Sequence, residues 1–167
     1  MTSTPEEWAA TARTLFDHRR YLQASRCYER AGLPREEDVA YAYFLREQAR
    51  ATVKTKRTTD YTRATAFVTA AEAFLQSAAV AAVREETLAY YRNAAECFAE
   101  VDELRRAAEA YIRAEEFTLS AQYYRRAGLF DEVVQVVLRH RPRIPEASAA
   151  ALIDVAKLHY LKESRIE

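Results

Sequence analysis

Self-similarity at a fixed offset constrains this chain more than any other feature. The segment Tyr21-Leu-Gln-Ala-Ser-Arg-Cys-Tyr-Glu-Arg-Ala-Gly-Leu33 returns as Phe117-Thr-Leu-Ser-Ala-Gln-Tyr-Tyr-Arg-Arg-Ala-Gly-Leu129, at an offset of 96. Aromatic meets aromatic at Tyr21 and Phe117, and again at Tyr28 and Tyr124. Upstream, Trp8 pairs with Leu104, Ala12 with Ala108 and Leu15 with Tyr111. A shorter period of 13 runs inside the second copy, through Phe98, Tyr111 and Tyr124 and through Val101, Ala114 and Ala127. Within a unit the order is large apolar, small, aromatic, small, in steps of three and four that trace one face of an α-helix. Each unit is then a short helix antiparallel to the next, with small residues facing large ones. Helices this short do not stand alone in water, and stacking is what hides their stripes.

Composition agrees with that reading. The sequence has 33 alanines, one asparagine and only two glycines, Gly32 and Gly128. Turn-rich β architectures need more turn formers than this. Phosphate-binding glycine loops and nucleophile elbows need glycines close together. Here the two glycines end equivalent Arg-Ala-Gly-Leu runs, so each is expected to close a helix at positive φ. The predicted class is all-α, a TPR-like αα-superhelix (an α-solenoid) of about nine antiparallel helices in one domain over residues 1–167.

Local signals place the helices. Thr4 caps the first, with Pro5 at its first position and Glu6 and Glu7 in its first turn; it is expected to reach about Arg19. The second covers Tyr21 to Ala31, and Pro34 opens a third that reaches about Ala51. Thr52 to Thr59 is a polar connector, followed by Asp60 to Ala79, Arg84 to Glu100, Leu104 to Ala114, Phe117 to Ala127 and Phe130 to Arg139. Two prolines at 142 and 145 break the chain before a last helix from Glu146 to about Lys162. Its apolar positions are read as Ala150, Ile153, Ala156, Leu158, Tyr160 and Leu161. Trp8, Tyr28, Phe98, Tyr111 and Tyr124 are the structural aromatics, the last four expected to be buried at successive helix contacts. Cys27 and Cys97 share one repeat position and are read as small buried hydrophobes, not as reactive thiols.

Charge supplies the candidate binding residues. Lysine plus arginine equal aspartate plus glutamate at 25 each, so the net charge is zero. Twenty-one of the 25 basic residues are arginine. Between positions 46 and 63, six positive residues stand against Glu47 and Asp60, a local net of +4. Arg46, Arg50, Lys54, Lys56 and Arg57 are therefore candidate partner-binding residues for phosphate or an acidic partner. A second row, Arg105, Arg106, Arg113 and Arg126, sits outward on the repeat with long stems over the aromatics. His18, His140 and His159 are scattered, and no spacing fits zinc or a nucleophile with its base. No catalytic residue, metal or cofactor is predicted. The N-terminus lacks a secretory signal, and the Ala64 to Val83 stretch reads as an amphipathic helix, so an intracellular protein, cytoplasmic or nuclear, off the membrane, is expected.

The first helix pair resembles a tetratricopeptide repeat. Trp8, Ala12 and Leu15 stand at the first-helix positions of that motif, and Tyr21, Ala24, Tyr28 and Ala31 at those of the second. Thr11 departs from its usual leucine, and Pro34 comes early. The later 13-residue units look more like the compact αα arrays of coat and transport scaffolds. A wider similarity runs through Leu15 to Pro34, Phe44 to Ala49, Ala71 to Phe74, Tyr90 to Phe98 and Ala121 to Glu132. These segments resemble the helical-repeat region of large fungal UvrD-like (superfamily 1) helicase proteins, related to the TPR and ankyrin repeat-containing family. The resemblance implies a non-catalytic protein–protein interaction scaffold whose ATP-dependent motor lies elsewhere in a larger polypeptide. The implied partner is a protein or peptide segment, or other domains of the same polypeptide. The alternative is a nucleic-acid-binding accessory module using the arginines. Leu161 to Glu167 carries no helix stop, and arrays need capped ends, so a fragment of a longer chain, or an end covered by a partner, is expected.

Overall fold

The computed structural model describes residues 2–52 and 59–166. Its described residues form nine α-helices, one short 3₁₀ turn and no strand, so the fold is all-α. The helices are α1 Pro5–Asp17, α2 Tyr21–Arg30, α3 Pro34–Thr52, α4 Asp60–Ala79 and α5 Arg84–Glu100. They continue as α6 Leu104–Arg113, α7 Phe117–Arg126, α8 Phe130–His140 and α9 Glu146–Ile166. At the start of α1 the Thr4 hydroxyl accepts the Glu7 N–H at 3.2 Å, and the Glu7 carboxylate accepts the Thr4 N–H at 3.1 Å. This capping box satisfies two otherwise unpaired groups. Thr59 caps α4 by a single such bond, its hydroxyl accepting the Thr62 N–H at 3.2 Å.

One backbone turn recurs at five junctions. A residue in the left-handed region closes α1, α2, α5, α6 and α7: Arg19 (φ 60°), Gly32 (72°), Asp102 (58°), Glu115 (60°) and Gly128 (75°). In each, the next N–H returns to a large residue five positions back. Arg20 donates to the Leu15 carbonyl at 2.8 Å, Leu33 to Tyr28 at 3.0 Å and Glu103 to Phe98 at 3.0 Å. Glu116 donates to Tyr111 and Leu129 to Tyr124, both at 2.9 Å. This is the Schellman arrangement. The turn residues 19 and 32 are 13 apart, as are 102, 115 and 128. The 13-residue unit therefore also governs the first helix pair. A Cβ at Gly32 or Gly128 would meet nothing within 4 Å, so only backbone strain opposes a side chain there. Gly128→Ala is expected to lose about 1 kcal/mol in urea unfolding. Arg19→Gly is expected to gain somewhat less than about 1 kcal/mol, because glycine's freedom in the unfolded chain offsets part of the relief.

Packing follows chain order. Each helix lies on the next, from α1 on α2 through α8 on α9, and α7 also touches α9. That sequential order is the contact pattern expected of a stacked array. Of the 29 buried hydrophobic residues among those described, 17 are alanine, which lets the helices approach closely around a few large side chains. Two cores form. Phe67, Phe74, Cys97, Phe98 and Tyr111 anchor the first, and Phe117, Tyr124, Val133, Val137 and Leu152 the second. Helix α6 joins them: Ala107, Ala110 and Tyr111 face one core and Ala108 the other. The Ser120 hydroxyl, fully buried, donates to the Ala108 carbonyl at 2.8 Å and ties α7 to α6.

The N-terminal pair joins the first core through aromatic rings. Phe16 and Tyr21 each sit within 5.3 Å of Tyr43, and Tyr43 meets Phe74 edge-on at 5.1 Å. Asn93 of α5 donates to the Tyr43 hydroxyl at 3.1 Å. Helices α3, α4 and α5 have 19, 20 and 17 residues and interrupt the 13-residue rhythm. They explain two departures from the sequence reading. Phe98, Tyr111 and Tyr124 are buried, but Tyr28 is only half-buried, because long helices follow it instead of short repeat partners. Cys97 is buried while Cys27 is half-buried for the same reason. A third departure concerns α9. Ala149, Leu152 and Ala156 form its buried stripe, with Ile153 beside it, while Ala150, Leu158, Tyr160 and Leu161 are exposed. Helix α8 has 11 residues and α9 has 21, so at about 1.5 Å per residue the partner ends halfway along α9.

Candidate functional site

A groove of about 480 Å³ crosses four consecutive helices, α4 to α7. Leu75 and Ala79 form one wall, Tyr91 and Phe98 the next, and Ile112 and Tyr124 the far side. Two of the arginines singled out in the sequence, Arg106 and Arg113, also line it. The guanidinium of Arg106 lies over the Phe98 ring at 4.3 Å and pairs with Glu72 at 3.2 Å. Arg113 donates to the Tyr91 hydroxyl at 3.3 Å. The repeat positions these groups. Large residues at its core positions point inward, and arginines one or two turns away fold their stems over the same rings.

The remaining candidates lie elsewhere. Arg126 stacks on Tyr123 at 4.9 Å and comes within 3.9 Å of Asp102. Arg105 is exposed on α6. Arg46 lies over Tyr43 and Phe74, at 4.8 and 5.5 Å, and its buried Nε has no acceptor. Arg50 pairs with Glu47 at 3.2 Å. Arg46 and Arg50 share a cavity of about 90 Å³ with Glu96, Cys97 and Glu100. Lys54, Lys56 and Arg57 lie outside the described residues. The arginines thus divide between the end of α3 and the α6–α7 surface, and carboxylates pair with three of the six described ones, Arg50, Arg106 and Arg126.

A second opening, of about 280 Å³, was not legible as a site in the sequence. It collects side chains from the ends of five helices: Phe16 of α1, Tyr28 of α2, Val39 of α3, Ser77 of α4 and Tyr90 of α5. Its rim includes the turn Val80-Ala81-Ala82-Val83, where Val80 and Val83 are 48% and 47% exposed. Interhelical turns favour polar residues, glycine and proline. Four apolar residues in a row at such a turn were the available signal, hidden because they read as the tail of the preceding apolar helix. Tyr28 and Tyr90 both have phenols pushed up by burial, Tyr90 to about 12.

Chemistry elsewhere is quiet. Burial pushes the Cys97 thiol up to about 11, with Arg46 and Arg50 pulling weakly the other way, so it is a poor thiolate source. His140 stacks on Phe117 at 3.8 Å, and His159 pairs with Glu163 at 3.1 Å. Among the described residues, no three His, Cys, Asp or Glu side chains gather where they would hold a metal ion. Among the described residues, no helix is long and apolar enough to cross a membrane.

No protein-family model, no curated protein and no solved structure matches the chain.

Proposed function

We propose that this chain is a non-catalytic protein–protein interaction scaffold, a TPR-like αα-superhelix that holds a partner's polypeptide segment along its surface. The groove over α4 to α7 carries the proposal. It is apolar at its floor and edged by arginines already braced on rings, which is the make-up of a surface that buries a segment and orients it through a few polar contacts. Arg113 is held by the Tyr91 hydroxyl before binding, which lowers the ordering cost of meeting a carboxylate or carbonyl. Placement of the module within a larger helicase-like protein rests on the motif resemblance alone.

Affinity capture with the intact chain and with a Leu75→Glu variant is the test. A charge at this half-buried groove wall is expected to abolish capture of a specific protein while leaving the circular dichroism spectrum unchanged. The nucleic-acid alternative is tested beside it, by titrating labelled single strands and duplex at low and high salt. Arginines already paired with Glu47, Glu72 and Asp102 neutralise few phosphates and so free few of the nucleic acid's counterions. The expected result is little binding even at low salt. Tight, steeply salt-dependent binding together with failed capture would replace the scaffold reading by the accessory-module one.

A further inference from the structure

We propose that the cleft at the α1–α5 end receives a lysine or arginine side chain from the bound partner segment. This rests on the scaffold reading and adds the chemistry of one anchor residue. The walls are apolar, from Phe16, Val39, Val80 and Val83. The charged residues at the cleft are Glu36, Glu86 and Arg35, a sum of two negative and one positive, or −1. Among the described residues, neither carboxylate has an ion-pair partner within 4.0 Å. Both line the same cleft as Tyr90. Inside, Ser77 is 2% exposed and its hydroxyl has no hydrogen-bond partner. A buried hydroxyl left unpaired is unfavourable, so a ligand donor that reaches it is favoured.

A single side chain answers all of these features. A lysine or arginine lays a methylene stem on the apolar wall and keeps its charged head among oxygen acceptors. Glu36, Glu86 and the Ser77 hydroxyl oxygen are those acceptors. The volume of about 280 Å³ falls below the usual range for a drug-sized ligand, which is roughly 300–1,000 Å³, and suits one long side chain. Arg35 at the cleft likewise has no ion-pair partner among the described residues, and the net charge of −1 favours a cation there over an aspartate or glutamate. Exposed Val80 and Val83 offer a seat for an apolar neighbour of the anchor.

The test is a positional-scanning peptide library presented to the full chain and to a Glu36→Gln, Glu86→Gln double variant. Both glutamates are exposed, so the variant keeps its fold. The intact chain is expected to retain peptides enriched in lysine or arginine beside an apolar residue. The double variant is expected to bind those peptides roughly tenfold more weakly and to lose the enrichment, since charge-assisted hydrogen bonds are lost. Peptide binding with no cationic preference, or a preference that survives in the variant, overturns this anchor and leaves the scaffold reading standing. An intact chain that retains no peptide overturns both.

Discussion

Tyr111→Ala is expected to destabilise the protein by about 3–5 kcal/mol, whereas Tyr28→Ala should remove only about half as much or less. The two tyrosines occupy the same place in the 13-residue unit, and each offers its carbonyl to the returning N–H of its turn. They differ in what surrounds them. Tyr111 is 5% exposed, stacks on Tyr123 at 5.3 Å and sits on the helix that joins the two cores. Tyr28 borders an open cleft. Urea unfolding of the two variants checks the register and the position of the interruption together. A Tyr111→Ala loss below about 1 kcal/mol would contradict a truncation inside a packed core.

Phe74→Ala should be as costly, at about 3–5 kcal/mol, with a second effect that distinguishes it. Phe74 is fully buried, and Tyr43 packs against its edge on the side from which α1 and α2 are held. Removing the ring loosens Tyr43 and with it the contacts to Phe16 and Tyr21. In an array, terminal units depend on a single interface and fray first. Trp8 is the one tryptophan and lies in α1. Its fluorescence transition should therefore precede the loss of helical circular dichroism in the variant and coincide with it in the parent chain. Coincident transitions in Phe74→Ala would mean that the first pair does not depend on this relay.

The helix boundaries were legible because their determinants are local. Thr4, Pro5, Pro34 and the two Arg-Ala-Gly-Leu runs mark ends through capping and backbone geometry alone. The 13-residue unit was read only in the second copy, where it recurs through 102, 115 and 128, whereas the first copy holds a single step, from Arg19 to Gly32, before the long helices begin. Burial was less legible where it depends on a neighbour's length. Leu158 and Leu161 have apolar side chains at the spacing of a buried stripe, yet α8 is too short to cover them. The candidate site was the least legible part. Arg106 and Arg113 stood out by charge, but Leu75, Tyr91 and Ile112 join them only through stacking. Likewise Ser77 and Glu36 lie on different helices, and no spacing in the chain brings them together.

Site-specific photo-crosslinking tests the scaffold claim most directly. A benzophenone amino acid replaces Ile112, which lines the groove, and in a separate protein replaces the exposed Gln122 outside it. In extract of the native host, the Ile112 position is expected to give one dominant adduct whose peptide map points to a short continuous segment of a single protein. The Gln122 position should give little. Equal diffuse labelling from both positions, or adducts only with nucleic acid, would contradict the account.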